Sequence, residues 1–290
     1  MLTRIALAVL WLLHFLPRVL LARIGEFAGL LMMGLASERR NVVRVNLELC
    51  FPGLSQRERK HLARAHFRAF GRALAETTVA WWSSADRVRK LATIEGMEHF
   101  DLANRSGPLI VLAPHFVGVE ILAIRLSIEE DAQSMYSHQK NEVFDRFLVS
   151  RRTRFRPIRL ASRQDGIKRV IRGLKARLPL FFLPDMDFGP RDAIFVPFFG
   201  VPAATIDAVP RLARLTGASV VPVLIEQQAA GKGYAIRFLP PWKDYPGDDL
   251  RADTARMNQF IEECIKTMPE QYYWVHKRFK TRPPGEKKIY

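Results

Sequence analysis

The sequence predicts an α/β fold: a mostly parallel or mixed central sheet flanked by helices, preceded by an N-terminal membrane-anchoring helix. Three observations carry this. Short apolar runs bounded by turn residues recur at "GPLIVLAP" (107–114), "LPLFFLP" (178–184) and "ASVVPVLIE" (218–226), as strands buried on both faces do. Stretches with helical periodicity separate those runs. The first 35 residues are apolar in a way the rest of the chain is not.

The N-terminal segment comes first. Ile5–Leu16, "IALAVLWLLHFL", is apolar apart from His14; Pro17 and Arg18 interrupt it, and Arg23 interrupts the apolar stretch that follows. The uninterrupted run falls short of the ~20 residues of a clean spanning helix. A signal peptide fits poorly, because Arg4 is the only early charge and no small-x-small site closes the run. Residues 1–35 are therefore read as a retained anchor, spanning once or lying in the interface, with Arg18 and Arg23 snorkelling. The cluster Arg39, Arg40 and Arg44 suits a segment resting on anionic headgroups. Residues 36–290 are read as one catalytic domain.

Within that domain, Ser55 followed by Glu58 forms a capping box that starts a helix running to about Trp82. Leu62, His66, Phe70, Ala73 and Thr77 share one face of it, so His66 reads as a core-edge histidine and not a ligand. Helical patterns follow at Val117–Ser127, Glu142–Arg154, Gln164–Ala176 and Thr205–Leu215. "YAIRFLPPW" (234–242) adds a strand at the sheet edge, and a late helix puts Met257, Ile261, Cys264, Ile265 and Met268 on one stripe.

Composition bounds the partners. A 290-residue chain that is 48% hydrophobic and 26% charged can bury a large core. The net charge of +16 favours nucleic acid, an anionic membrane surface, or an acidic protein or substrate. Only two cysteines occur, Cys50 and Cys264, far apart, so neither a disulfide framework nor a Cys-x-x-Cys site is present. There is no phosphate loop, no Gly-x-Ser-x-Gly elbow, no His-Glu-x-x-His helix and no nucleic-acid motif, and "GKGY" (231–234) lacks the third glycine of a dinucleotide loop.

What remains is "HFVGVE", with His115 and Glu120 five positions apart amid apolar residues. On one helix they would point about 140° apart. If the strand ends at Pro114, His115 falls in the strand-to-helix loop and Glu120 in the first turn of the next helix. Helical side chains lean toward the N-terminus, so Glu120 points back at His115. A carboxylate at Nδ1 would orient the ring and leave Nε2 to take a proton from a hydroxyl. No serine or cysteine nucleophile is evident nearby, so that hydroxyl is assigned to a substrate.

These residues resemble the His-x4-Asp/Glu motif of the membrane-associated glycerolipid acyltransferases. More narrowly, the chain is similar to the late acyltransferases of lipid A biosynthesis in Gram-negative bacteria. The likeness runs through "RNVVRVNLELCFP" (40–52), "SMYSHQKNEVFD" (134–145), "RRTRF" (151–155), "LPDMDFGPRDAIFVPFFGVPAAT" (183–205), "VVPV" (220–223) and "YYWVHKRFKTRPPGE" (272–286). Many relatives carry Asp at the position of Glu120, and an Arg where this chain reads "YSHQKN"; Lys140 is read as taking over that charge. The resemblance implies transfer of an acyl chain from an acyl carrier protein thioester to a hydroxyl of a lipid A precursor. It implies neither cofactor nor metal, and a catalytic domain on the cytoplasmic side of the bacterial inner membrane. Such carriers are acidic and such precursors are phosphorylated, so both suit a basic surface.

The resemblance also assigns Asp185, Asp187 and Gly189 of "DMDFGPRD" to acceptor binding, against a plainer reading as turn residues. Asp-x-Asp also resembles the metal-binding pair of a membrane-associated glycosyltransferase, the alternative function for this chain. Lys140, Asn141, Arg152 and Arg154 are candidates for phosphate or carrier contact, against a solvated basic face. The aromatic and basic "YYWVHKRFKTR" (272–282) suits a membrane interface or an amphipathic tail.

Overall fold

Pro17 shapes the beginning of the chain. The computed structural model describes residues 2–162, 167–191 and 193–290. Helix α1 (Leu2–Leu13) stops short of Pro17, which caps α2 (Arg18–Leu35) from outside, since proline cannot continue a helix it interrupts. α3 (Ser37–Cys50) turns away from α2 by 94°. α4 (Gln56–Trp82) opens with the expected capping box, the Glu58 amide donating to Ser55 Oγ at 3.2 Å and the Ser55 amide to Glu58 Oε2 at 2.6 Å.

No single described helix is long and apolar enough to cross a membrane; α2 and α3 pass that test only as a bent pair. α2 buries Leu21, Ala22, Gly25 and Gly29 against α4. The approach is close: a Cβ on Gly29 would sit 1.9 Å from the Phe67 carbonyl oxygen, and one on Gly71 of α4 2.4 Å from the Gly25 carbonyl oxygen. The opposite side of α2 exposes Val19, Leu20, Ile24, Phe27, Leu31 and Leu35, and α1 buries no residue at all. The nearby cations are tied to protein atoms: Arg18 donates to the Lys90 carbonyl, Arg23 pairs with Glu26, Arg39 donates to the Val275 carbonyl and Arg44 pairs with Glu48.

α5 (Ala85–Leu91), β1 (Ala92–Glu95) and α6 (Met97–Ser106) lead to β2 (Leu109–Leu112), buried at every position. Then come α7 (Val119–Leu126), β3 (Gln133–Tyr136), α8 (Glu142–Arg152), β4 (Arg159–Ser162), α9 (Ile167–Lys175) and β5 (Leu180–Phe182). β6 (Ala193–Phe198) and β7 (Val201–Ile206) make a separate antiparallel ribbon. α10 (Ala208–Thr216), β8 (Ser219–Gln227), β9 (Tyr234–Phe238) and α11 (Leu250–Thr267) follow.

Among the described residues the main sheet has the order β1-β9-β8-β2-β5-β3-β4. It is parallel from β8 to β4, with β9 antiparallel to β8, so the expected α/β class with a mostly parallel, mixed sheet holds. The strand expected at the edge from "YAIRFLPPW" is β9, one place inward, because β1 pairs outside it. Of the helix expected from Gln164, Ile167–Lys175 is described and residues 164–166 lie outside the described residues; Thr205 belongs to β7 and not to the helix after it. His66 lies wholly inside the core, and not at its edge.

The C-terminal segment departs most from expectation. Tyr272, Trp274, Val275, Arg278 and Phe279 are buried. Phe116 and Tyr272 form an antiparallel bridge, the Val117 amide donates to the Gln271 carbonyl at 2.8 Å, and the Tyr273 amide to the His115 carbonyl at 2.9 Å. Arg278 stays buried because its guanidinium donates to the Ala204 carbonyl and Thr205 Oγ1 and lies over the Phe198 ring. The aromatic-basic composition that suggested a membrane interface or a tail belongs to the wall of the core.

Candidate active site

Register does the first part of the work. β2 and β5 are parallel neighbours with Leu112 opposite Phe182. His115 lies three residues beyond Leu112, and Asp185 three beyond Phe182. Each follows a proline, Pro114 and Pro184, which ends its strand. The two side chains therefore emerge side by side at the carboxyl ends of adjacent strands, where α/β sheets bind ligands.

They are bonded twice. Asp185 Oδ1 lies 2.7 Å from His115 Nδ1, and Asp185 Oδ2 accepts the His115 amide at 2.9 Å. The Asp185 side chain is fully buried; that of His115 is 15% exposed. Burial pushes the Asp185 carboxyl up, but the charge of the His115 ring and its hydrogen bonds outweigh this and hold it below the usual carboxylate value. An ionised Asp185 fixes the proton on Nδ1 and leaves Nε2 as the nitrogen that can accept one. The partner expected at Nδ1 was Glu120, so here the sequence expectation is corrected. The backbone bridge from Phe116 to Tyr272 occupies the loop, and Glu120 leaves the second position of α7 toward α4 and α8.

There Glu120 meets Arg152. Arg152 Nη2 donates to Glu120 Oε2 at 2.5 Å and Nε to both oxygens at 3.1 Å, while Trp81 Nε1 donates to Oε1 at 3.4 Å. Burial pulls the Arg152 guanidinium down, but Glu120 outweighs it and raises its pKa above the usual arginine value. The guanidinium also lies 5.8 Å from the centroid of the Tyr136 ring. Tyr136 bonds Asp145 through its hydroxyl, and Asp145 further accepts the Gln139 amide at 2.7 Å and His138 Nδ1 at 2.9 Å. The Gln139 amide first, then His138 and Tyr136, bring the Asp145 carboxyl down to about 2.

The other expected residues divide. Asp187 accepts the Thr281 amide at 2.6 Å, the Thr281 hydroxyl at 2.8 Å and the Gly189 amide at 2.9 Å, so it pins the C-terminal segment to the loop. Gly189 has φ +97°, a conformation that favours glycine. The Asp187 amide donates to His276 Nε2 at 2.9 Å. That bond needs a neutral ring, and burial, with the charges of His115 and Arg278, brings His276 down to about 4. The carboxylates of Asp185 and Asp187 thus serve different protein donors, which removes the observation behind a shared metal-binding pair. Asn141 caps α8 by accepting the Phe144 amide at 3.0 Å and donates to Thr3 Oγ1 at 2.9 Å. Arg154 donates to the Ala80 and Ser83 carbonyls at the end of α4, and so holds that helix terminus. Lys140 is exposed.

The arrangement is a histidine with one nitrogen anchored to a buried carboxylate and the other able to take a hydroxyl proton, beside a clamped Glu–Arg pair. The chain resembles known proteins along its whole length. A family model described as bacterial lipid A biosynthesis acyltransferase matches residues 1–281. The lipid A biosynthesis lauroyltransferase of Escherichia coli (strain K12) is 36% identical over 286 residues, covering 98% of this chain and 93% of the relative. The lipid A biosynthesis palmitoleoyltransferase of the same organism is 34% identical, covering 100% and 94%. Among solved structures, the 1-acyl-sn-glycerophosphate acyltransferase PlsC from Thermotoga maritima superposes with a TM-score of 0.39 at 14% identity, over 86% of this chain and 95% of that one.

Proposed function

Because the chain belongs to the bacterial lipid A biosynthesis acyltransferase family, we propose that this acyltransferase moves a fatty acyl chain from an acyl carrier protein thioester to a hydroxyl of a lipid A precursor. The observation that carries the mechanism is the double grip of Asp185 on His115. The acceptor hydroxyl gives its proton to His115 Nε2 as its oxygen attacks the thioester carbonyl. Asp185 keeps the ring oriented and stabilises the imidazolium that forms. The tetrahedral oxyanion collapses, the C–S bond breaks, and the proton on Nε2 passes to the departing thiolate. Backbone N–H groups in the first turn of α7 are of the kind that hold such an oxyanion.

Glu120 enters as a positioning residue in this scheme. Its carboxylate holds Arg152 at the rim, and Arg152 serves the anionic substrates; the bidentate contact supports this. Asp187 and Gly189 support the loop that carries Asp185, and Lys140 is the exposed cation available to a phosphate. The unpartnered apolar sides of α1 and α2 favour an interfacial seat on the cytoplasmic leaflet of the inner membrane.

The test is reconstituted turnover with acyl carrier protein thioester and lipid A precursor, read by mass spectrometry of the product. H115A is expected to lose ~10²–10⁴ in rate. Turnover near the wild-type rate would remove His115 from the reaction.

A further inference from the structure

The most basic helix in the sheet layer plays no part in the site described above. α9, "IKRVIRGLK", has no acidic residue. It buries Val170, Gly173 and Leu174 against the sheet. A Cβ on Gly173 would fall 2.3 Å from the Gln133 side chain, and Gln133 Nε2 donates to the Val170 carbonyl at 3.2 Å. This anchoring turns the other side outward: Lys168, Arg172 and Lys175 are exposed. Spaced four and three residues apart, they form one row about 10 Å long at 1.5 Å rise per residue. Among the described residues no carboxylate forms an ion pair with these three. A row of like charges with no ion-paired carboxylate among the described residues suits an acidic partner.

Topology says which kind. The crossovers β2–α7–β3 and β3–α8–β4 advance toward the β4 edge, whereas β4–α9–β5 runs back. Right-handed crossovers therefore put α9 on the face opposite α7 and α8. The packing agrees: α7 and α8 contact α4, which carries α1 and α2, while α9 contacts α10 and β5. The apolar helices α1 and α2 thus join the fold through α4 on the α7–α8 side of the sheet, and the basic row of α9 lies on the other side. A membrane engaged by α1 and α2 leaves the row facing the aqueous phase. At the same time the N-terminus of α9 follows the carboxyl end of β4, on the same rim from which His115 and Asp185 emerge.

We propose that the exposed row Lys168–Arg172–Lys175 on α9 is the docking surface for the acidic acyl carrier protein, which presents its thioester across the rim to His115. The inference rests on the donor assignment made above and goes beyond it by naming the face the donor uses.

The experiment uses the full chain in vesicles of zwitterionic and anionic phospholipid, comparing wild type with K168E/R172E/K175E. Two donors carry the same acyl group: the acyl carrier protein thioester, and acyl-pantetheine, which has the arm but no acidic protein. The variant is expected to show a KM for the carrier thioester raised at least about tenfold, with kcat at saturation little changed. Its KM for acyl-pantetheine and its vesicle co-sedimentation should match wild type, which also shows that it folds. The neutral variant K168Q/R172Q/K175Q should fall between, and wild-type KM for the carrier should rise with salt. An unchanged carrier KM, or an equal rise for both donors, overturns the docking surface. Loss of vesicle binding with carrier KM intact overturns it in favour of lipid headgroups. A wild-type enzyme that turns over acyl-pantetheine but not the carrier thioester removes the donor assignment itself, and the surface with it.

Discussion

Asp185 holds His115 by both ring and backbone: Oδ1 takes Nδ1 at 2.7 Å and Oδ2 the amide at 2.9 Å. One buried carboxylate thus sets the tautomer of the ring and the position of the residue that bears it. D185N keeps an oxygen for one of these bonds but offers an NH2 to the other, which favours the wrong tautomer. We expect kcat to fall on the order of 10²–10⁴ with the KM for the acceptor little changed. Circular dichroism and kcat–KM separation check it. A loss confined to KM would mean that Asp185 binds substrate and does not orient His115.

Glu120 and Arg152 call for a double-mutant cycle. Their contact is bidentate and mostly shielded, with side-chain exposures of 19% and 28%. E120Q and R152Q should each lower activity, and the double variant should lose little more than either, a coupling of about 1–3 kcal/mol. R152K keeps the charge but not the fork and should behave more like R152Q than like wild type. If E120Q costs as much in the R152Q background as in wild type, Glu120 does not act through Arg152.

That spacing shows what was legible in the sequence. Continuous apolar runs gave β2, β5 and β8, because strands covered on both faces carry little else. β3, "QSMY", and β4, "RLAS", are short and mixed in polarity, and their strand character comes from pairing with each other and with β5. His115 and its helix were visible for the same local reason. Its true partner lies 70 residues away, and only the pairing of β2 with β5 brings it near. A signal did exist. "LAPH" and "FLPD" both end a buried strand with proline and follow it with a titratable residue, so two neighbouring parallel strands would align them. The C-terminal segment misled for the converse reason: composition cannot tell an aromatic-basic surface from a buried, irregular segment whose arginine donates through both terminal nitrogens to Ala204 and Thr205.

Stability should fall on the acid side of neutrality. Burial brings His66 down to about 4, with the Glu270 carbonyl bond opposing it, and His276 is likewise brought to about 4. Unfolded, both rings titrate near 6.5. Between about 4 and about 6.5 the unfolded chain binds more protons, so folding stability is complete above that window and declines as pH falls through it. The depressed carboxyl of Asp185 acts lower still, contributing stability above the unfolded aspartate value near 3.9 that is lost as pH falls through its folded value. Thermal unfolding from pH 7.5 to 4.5 should show Tm dropping, and H66Q should flatten the slope even if it lowers Tm throughout. An unchanged slope in H66Q would mean that His66 titrates alike in both states.

The glycines between α2 and α4 give the last prediction. Gly25 and Gly29 meet Gly71 so closely that any Cβ enters backbone: a Cβ on Gly29 lies 1.9 Å from the Phe67 carbonyl oxygen. Backbone cannot rotate away as a side chain can, so G29V or G71V must push the helices apart. We expect each to destabilise by at least the ~1–3 kcal/mol typical of overpacking. Gly34, on the same helix, has open space where its Cβ would go. G34A should leave Tm unchanged or raise it slightly, because alanine restricts the unfolded chain. The consequence reaches past stability. α2 turns its apolar side outward only while its glycine side is seated on α4, so G29V should also weaken vesicle binding, whereas G34A should not. Equal vesicle binding by a destabilised G29V would show that the apolar segment binds membrane without its seat on α4.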